Sequence, residues 1–213
     1  MCGSNEGSEL VLVPRPQGYG PALNKAWEEL IQISDEGLIR RKGAVVEPGS
    51  GLISITLLGD KYRLDKKKRE IYLKDSPAPQ FISVLVLHYL TNLSGISPEN
   101  EWVSFRQFEG GDFYFPAFAA RTIEKLKKIF GGQEGKLEKA AQKLNGEKIP
   151  FGTTAYKFPV FPKLVIAVVL HNACEEFGSD ANILFDNSCL KLLPTEDAAV
   201  AASLLVSKLC KGV

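Results

Sequence analysis

Lys163-Leu-Val-Ile-Ala-Val-Val-Leu170, Asn182-Ile-Leu-Phe185 and the run from Ala198 to Leu209 decide how the chain is read. The first two are apolar runs of strand length. The third has helical character and follows Pro194-Thr195-Glu196-Asp197, which reads as a helix start with Thr195 as N-cap and two acids in the first turn. Between them Asp186-Asn187 reads as the turn of a β-hairpin that joins Ala181–Phe185 to Ser188–Leu192. Polar residues collect at the ends of these runs: His171, Cys174, Glu175, Glu176, Asp180, Asp186, Asn187 and Ser188. If the chain has a site, the stretch from Phe158 to Leu209 is where it is expected.

Upstream, Gly43 to Leu73 holds short β-rich runs separated by Pro48-Gly-Ser-Gly51, Gly59-Asp60 and Asp65 to Arg69. Connections this short imply an antiparallel meander, because parallel strands need longer crossovers. Lys61 to Arg69 carries six basic residues and one acid, the pattern of a charged hairpin that keeps a sheet edge soluble. Leu23, Trp27, Leu30 and Ile31 recur at helical spacing behind Pro21. Pro79 to Leu93 is apolar nearly all round, which predicts a buried helix with His88 as a hydrogen-bonded core residue. Glu101 to Phe108 alternates with period two and predicts a strand; Gly110-Gly111 then turns into Phe113 to Phe118, whose aromatics are expected to seal the core. Ala117 to Phe130 and Leu137 to Leu144 predict two further helices with solvated lysines, closed by Gly131-Gly132 and Asn145-Gly146. The expected fold is α+β, a mainly antiparallel sheet packed with four or five helices. Residues 1–20 are expected to be a flexible tail and 21–213 a single domain.

The 213 residues carry a formal net charge of +1, so no global field draws the chain to nucleic acid or to an anionic membrane. The apolar runs fall far short of the length that spans a bilayer. Met1 to Ser8 lacks the basic and apolar regions of a signal peptide. Cys2, Cys174, Cys189 and Cys210 form no C-x-x-C pair and match no common zinc or iron–sulfur spacing. Reduced structural thiols in a soluble cytoplasmic protein are the expectation.

Chemistry is sparse. Asp186 and Ser188 follow an apolar strand and could begin a strand-end site for a hard cation, where carboxylate and hydroxyl oxygens are the ligands. Leu190 stands where a further hydroxyl would complete that pattern. Glu175, Glu176 and Asp197 are the candidate general acids and bases, with Asp186 as a fourth carboxylate. His171 and Cys174 could make a nucleophile pair, although the flanking acids would raise the thiol pKa. Turns and helix capping account for Asp186, Asn187, Glu196 and Asp197 without any substrate. No phosphate-binding loop and no G-x-G-x-x-G after a strand is present.

Several segments carry a resemblance: Arg41-Lys-Gly-Ala44, Leu58-Gly-Asp-Lys-Tyr62, Leu87-His-Tyr-Leu90, Trp102-Val-Ser-Phe-Arg106 with Gly110-Gly111, and Phe161-Pro162. The densest run is Glu175-Glu-Phe177 through Ile183-Leu-Phe-Asp186 to Leu193-Pro-Thr-Glu-Asp197. In these the chain resembles a bacterial and archaeal family, domain of unknown function 3786, over most of its length after the tail. The resemblance implies no reaction. Some relatives look to be attached to a cysteine-rich iron–sulfur module like that of corrinoid proteins. That implies an accessory role beside a corrinoid or iron–sulfur enzyme of one-carbon metabolism. This chain lacks the four-cysteine segment, so it is expected to hold no cluster itself, and Cys174 stands where an acid is expected before Glu175-Glu176. The reading is therefore a binding or accessory domain, with a metal-dependent or small-molecule enzyme using Glu175, Glu176, Asp186 and Asp197 as the alternative.

Overall fold

Turn chemistry between Gly43 and Leu73 builds the first sheet in this computed structural model, which describes residues 18–92, 96–173 and 178–212. Strands β1 (Val45–Val46), β2 (Ile53–Leu57), β3 (Asp60–Asp65), β4 (Glu70–Leu73) and β5 (Ser76–Pro77) pair in that order, every neighbour antiparallel. The β2–β3 register closes at Leu57 opposite Asp60, leaving Leu58-Gly59 as a two-residue turn with φ +48° and +83°. A leucine in the left-handed region is unfavourable. Here the neighbourhood holds it: the Leu58 N–H donates to the Val160 carbonyl at 2.9 Å and its carbonyl accepts from Lys208 Nζ at 2.9 Å. That one residue joins the first sheet to the second.

The basic hairpin does not lie at a sheet edge, since β3 pairs with β2 and β4, and β4 pairs with β5. Lys61 pairs with Glu47 at 2.6 Å, Arg63 with Asp75 at 3.1 Å, Lys66 with Asp35 at 2.7 Å and Arg69 with Glu28 at 2.8 Å. Such exposed pairs contribute a few tenths of a kcal/mol each.

The second sheet runs β6-β10-β9-β8-β7, built from β6 (Trp102–Ser104), β7 (Glu147–Ile149), β8 (Thr154–Phe161), β9 (Leu164–His171) and β10 (Asp180–Asp186), again antiparallel throughout. The β9 strand lies between β8 and β10 and is buried at Leu164 and from Ile166 to Leu170. A central strand covered on both faces needs the continuous apolar run that marked it in the sequence.

Among the described residues there are eight α-helices: α1 (Gly20–Ile31), α2 (Asp35–Lys42), α3 (Gln80–Thr91), α4 (Gly111–Arg121), α5 (Ile123–Phe130), α6 (Glu134–Lys143), α7 (Cys189–Leu192) and α8 (Thr195–Lys211). The fold is α+β, with its antiparallel strands in two sheets and more helical segments than four or five. The buried side of α8, Ala198, Ala201, Ala202, Leu205 and Leu209, is the helix stripe expected. Its buried leucines contribute roughly 2 kcal/mol each. No described helix is long and apolar enough to cross a membrane.

Three elements differ from expectation. Ser188–Leu192 is not a strand: Asp186 folds the chain back on itself and Cys189–Leu192 forms α7. The expected strand Glu101–Phe108 stops at Ser104, where Gln107 accepts from the Ser104 N–H at 2.7 Å and a 3-10 helix over Phe105–Gln107 begins. The helix from Ala117 to Phe130 is two helices, parted at Thr122, whose buried hydroxyl donates to the Phe118 carbonyl at 2.6 Å.

Candidate functional site

The C-terminal end of α3, the 3-10 helix with the segment after it, and the α7–α8 connection meet around one cleft. Three bonds fix the junction. On α8, Thr195 is the first helical residue rather than the N-cap, which is Pro194, and its hydroxyl donates to the Glu109 carbonyl at 2.7 Å. On α3, the Asn92 amide at the helix end donates to the Leu192 carbonyl at 2.9 Å. The third bond joins the helices themselves: His88 Nδ1 lies 2.5 Å from Asp197 Oδ2.

The His88–Asp197 pair is the one place where the described residues bring a base and a buried acid together. The Asp197 side chain is 3% exposed and that of His88 22%. A carboxylate only accepts, so Nδ1 carries the hydrogen and Nε2 of the neutral ring keeps its lone pair. This is the orientation in which a histidine can take a proton at Nε2 while the acid steadies the ring. His88 was expected in the core and is only partly covered. Asp197 was expected as a first-turn acid or a catalytic carboxylate; it occupies the first turn and orients a histidine.

Asp186 is surrounded differently. Buried at the end of β10, it accepts from the Glu99 N–H at 3.0 Å, the Asn100 N–H at 2.7 Å, the Ser188 N–H at 3.0 Å and the Ser188 hydroxyl at 2.5 Å. Its oxygens are thus occupied by hydrogen-bond donors, and Ser188 spends its hydroxyl on the same carboxylate. Next to it, Asn187 donates to Glu99 Oε2 at 2.7 Å and Lys191 stands 3.4 Å from Glu99 Oε1. The arrangement ties the 99–101 segment to the end of the sheet. Among the described residues no group of three His, Cys, Asp or Glu could hold a metal ion.

Glu175, Glu176 and Cys174 lie outside the described residues. His171 ends β9 and is exposed. Asp186 and Asp197 have separate partners and share no hydrogen bond. The Cys189 thiol is free and enclosed, and burial pushes its pKa up to about 12, so it is an inert structural thiol. Burial also raises the Cys210 thiol, with Lys125 opposing.

The cleft between these elements measures about 480 Å³, with Phe108, Leu190 and Leu193 as its apolar lining and Asn92, Gln107 and Lys191 among its polar lining. Beyond Glu109 the chain turns through Gly110, at φ +68°, into α4. A side chain at Gly111 would strike the Phe105 carbonyl, 2.1 Å from its Cβ, so only glycine lets the helix start this close. The expected aromatic seal is then divided. Phe118 stacks on Phe105 at 4.0 Å in the core and the Arg106 guanidinium sits 3.7 Å over Phe115, whereas Phe113 is 82% and Tyr114 51% exposed. Sequence reading missed these two as surface residues. The signal was Gly110-Gly111 itself, which starts a helix whose first turn faces out.

Comparison with curated proteins finds no match, and comparison with solved structures finds none. A family model described as Domain of unknown function (DUF3786) matches residues 36–208, a span that takes in His88, Asp186, Asp197 and every residue of the cleft, and the chain belongs to that family.

Proposed function

We propose that the protein is a non-catalytic accessory domain that docks a protein partner through the cleft and the first turn of α4. The carrying observation is Phe113, 82% exposed, edge-on to Tyr114 with ring centroids 5.2 Å apart. Two large rings on one exposed helical turn, next in the chain to a cleft lined by both apolar and polar side chains, suit a protein interface. The resemblance read from the sequence supplies the partner class: a corrinoid or iron–sulfur enzyme of one-carbon metabolism, in the cytoplasm. The test is co-purification from native cells. A corrinoid protein, identified by mass spectrometry and cobalamin absorbance, is retained by the wild-type chain and lost with Phe113→Ser/Tyr114→Ser at unchanged melting temperature. Retention by that variant, or recovery of no corrinoid or iron–sulfur protein, rejects the proposal.

The His88–Asp197 geometry favours a second reading, an enzyme that uses His88 as general base and Asp197 to orient it. Under that reading His88→Gln abolishes turnover of any substrate found by activity screening while the fold is kept. An activity indifferent to His88→Gln rejects it.

A further inference from the structure

We infer that the lysine side of α6, with the end of α8, is a docking groove for an acidic peptide segment. This surface uses none of the cleft's residues and does not rest on the docking role given to α4. In the sequence, α6 mixes acids and lysines and looks like an ordinary solvated helix. Folding separates them. Leu137, Ala140 and Ala141 face the core. Glu134 accepts a hydrogen bond from the Asn172 amide beyond β9, and Glu138, one turn on, falls on the same flank of the helix, away from the lysines. Lys136, Lys139 and Lys143 follow one another at i, i+3 and i+7 and line a groove of about 590 Å³ with Gln142 and Gly212.

None of these three lysines has a carboxylate within ion-pair distance among the described residues; Lys143 reaches only the Gly212 carbonyl, at 2.8 Å. In the first sheet Lys61, Arg63, Lys66 and Arg69 are each matched by an acid, whereas Lys67 and Lys68 at the β3–β4 turn, like these three, have none among the described residues. Three unmatched cations along one groove favour an anionic occupant. Its size selects the class. The lysines span about 10 Å of helix at 1.5 Å per residue, too short for the six to ten or so phosphate contacts that sustain binding to duplex nucleic acid. Two or three carboxylates on an extended peptide fit that span. The Gln142 amide can bond the peptide backbone, and the lysine stems supply the apolar walls.

A fluorescein-labelled decaglutamate peptide, titrated into the full chain at low and at physiological salt, tests the proposal by anisotropy, with amide chemical shifts read alongside. The expected result is salt-sensitive binding, with shifts concentrated at residues 136–143 and 212. Lys136→Glu/Lys139→Glu, at two exposed positions, weakens it at least tenfold. Lys67→Glu/Lys68→Glu, an equal charge change at the β3–β4 turn, weakens it less than twofold. No binding, equal losses in the two double variants, or tighter binding of a DNA duplex or of pyrophosphate than of the peptide overturns the proposal.

Discussion

Asp186 and Asp197 are both buried acids at the ends of elements, and both look in the sequence like turn or cap residues. Their surroundings differ in kind. Asp186 sits among donors supplied by the chain, two of them backbone N–H groups of Glu99 and Asn100 that have few other partners in a loop. Asp197 faces an imidazole from another helix. A carboxylate saturated by backbone donors is a joint. One that orients a histidine leaves a proton-accepting nitrogen in play. Burial alone does not separate structural acids from chemically capable ones; the identity of the donors does.

The sharpest break of this comparison is at Asp186. Replacing it by alanine leaves the N–H groups of Glu99 and Asn100 and the buried N–H of Ser188 without their acceptor, each lost bond to a charged group being worth about 1.5 kcal/mol or more. Asp186→Ala should lower unfolding free energy by about 3 kcal/mol in urea melts, and Asp186→Asn, which keeps one acceptor oxygen, by about half as much. A loss under about 1 kcal/mol for the alanine variant would show that the joint carries little.

Asp197 should cost less, because its partner keeps contact with solvent. Asp197→Asn and His88→Gln are each expected to lower stability by about 1.5 kcal/mol. A double-mutant cycle should return a coupling of about 1 kcal/mol. If the two effects simply add, the pair is adjacency without interaction and the contrast with Asp186 loses its meaning.

Smaller still is the effect at Thr195, which tests the junction that brings α8 to the cleft. With Pro194 as N-cap, the Thr195 hydroxyl serves Glu109 rather than the helix's own N–H groups. Thr195→Val should cost about 1 kcal/mol and Thr195→Ser almost nothing. If Thr195→Ser costs as much as Thr195→Val, the hydroxyl bond is not what matters there.

What could be read in advance follows from how far apart the cooperating residues lie. The first sheet was legible because its turns are local: Pro48-Gly-Ser-Gly51, Gly59 (with the turn one residue earlier than expected, at Leu58-Gly59) and the Asp65 to Arg69 stretch punctuate strands that pair with their sequence neighbours. The β9 strand and α8 were legible from unbroken apolar periodicity. Phe105 and Phe108 misled because an apolar residue every second place and every third place coincide over so short a run; the bond from the Ser104 N–H to Gln107 selects the 3-10 turn, and both rings become core. Cys189-Leu-Lys-Leu192 has strand-like composition, and only the grip of Asp186 on Ser188 curls it into a helix. The His88–Asp197 pair, 109 positions apart, leaves no local trace. Each residue has an adequate explanation by itself, and only the packing of α3 against α8 makes them one unit.

The final expected effect is none at all, and it bears on the hard-cation site that Asp186 and Ser188 suggest by their spacing. A calcium or magnesium ion needs six or more oxygen ligands, lone pairs pointing inward. Both Asp186 oxygens already accept hydrogen bonds, and the Ser188 hydroxyl is turned toward the same carboxylate as a donor. Binding a cation there would mean breaking four donor contacts before making one ligand bond. Adding either ion at millimolar levels should therefore leave the melting temperature where chelator leaves it. A rise of several degrees that vanishes in Asp186→Ala would mean the loop opens to admit metal, and Asp186 would then belong with Asp197 as a functional acid.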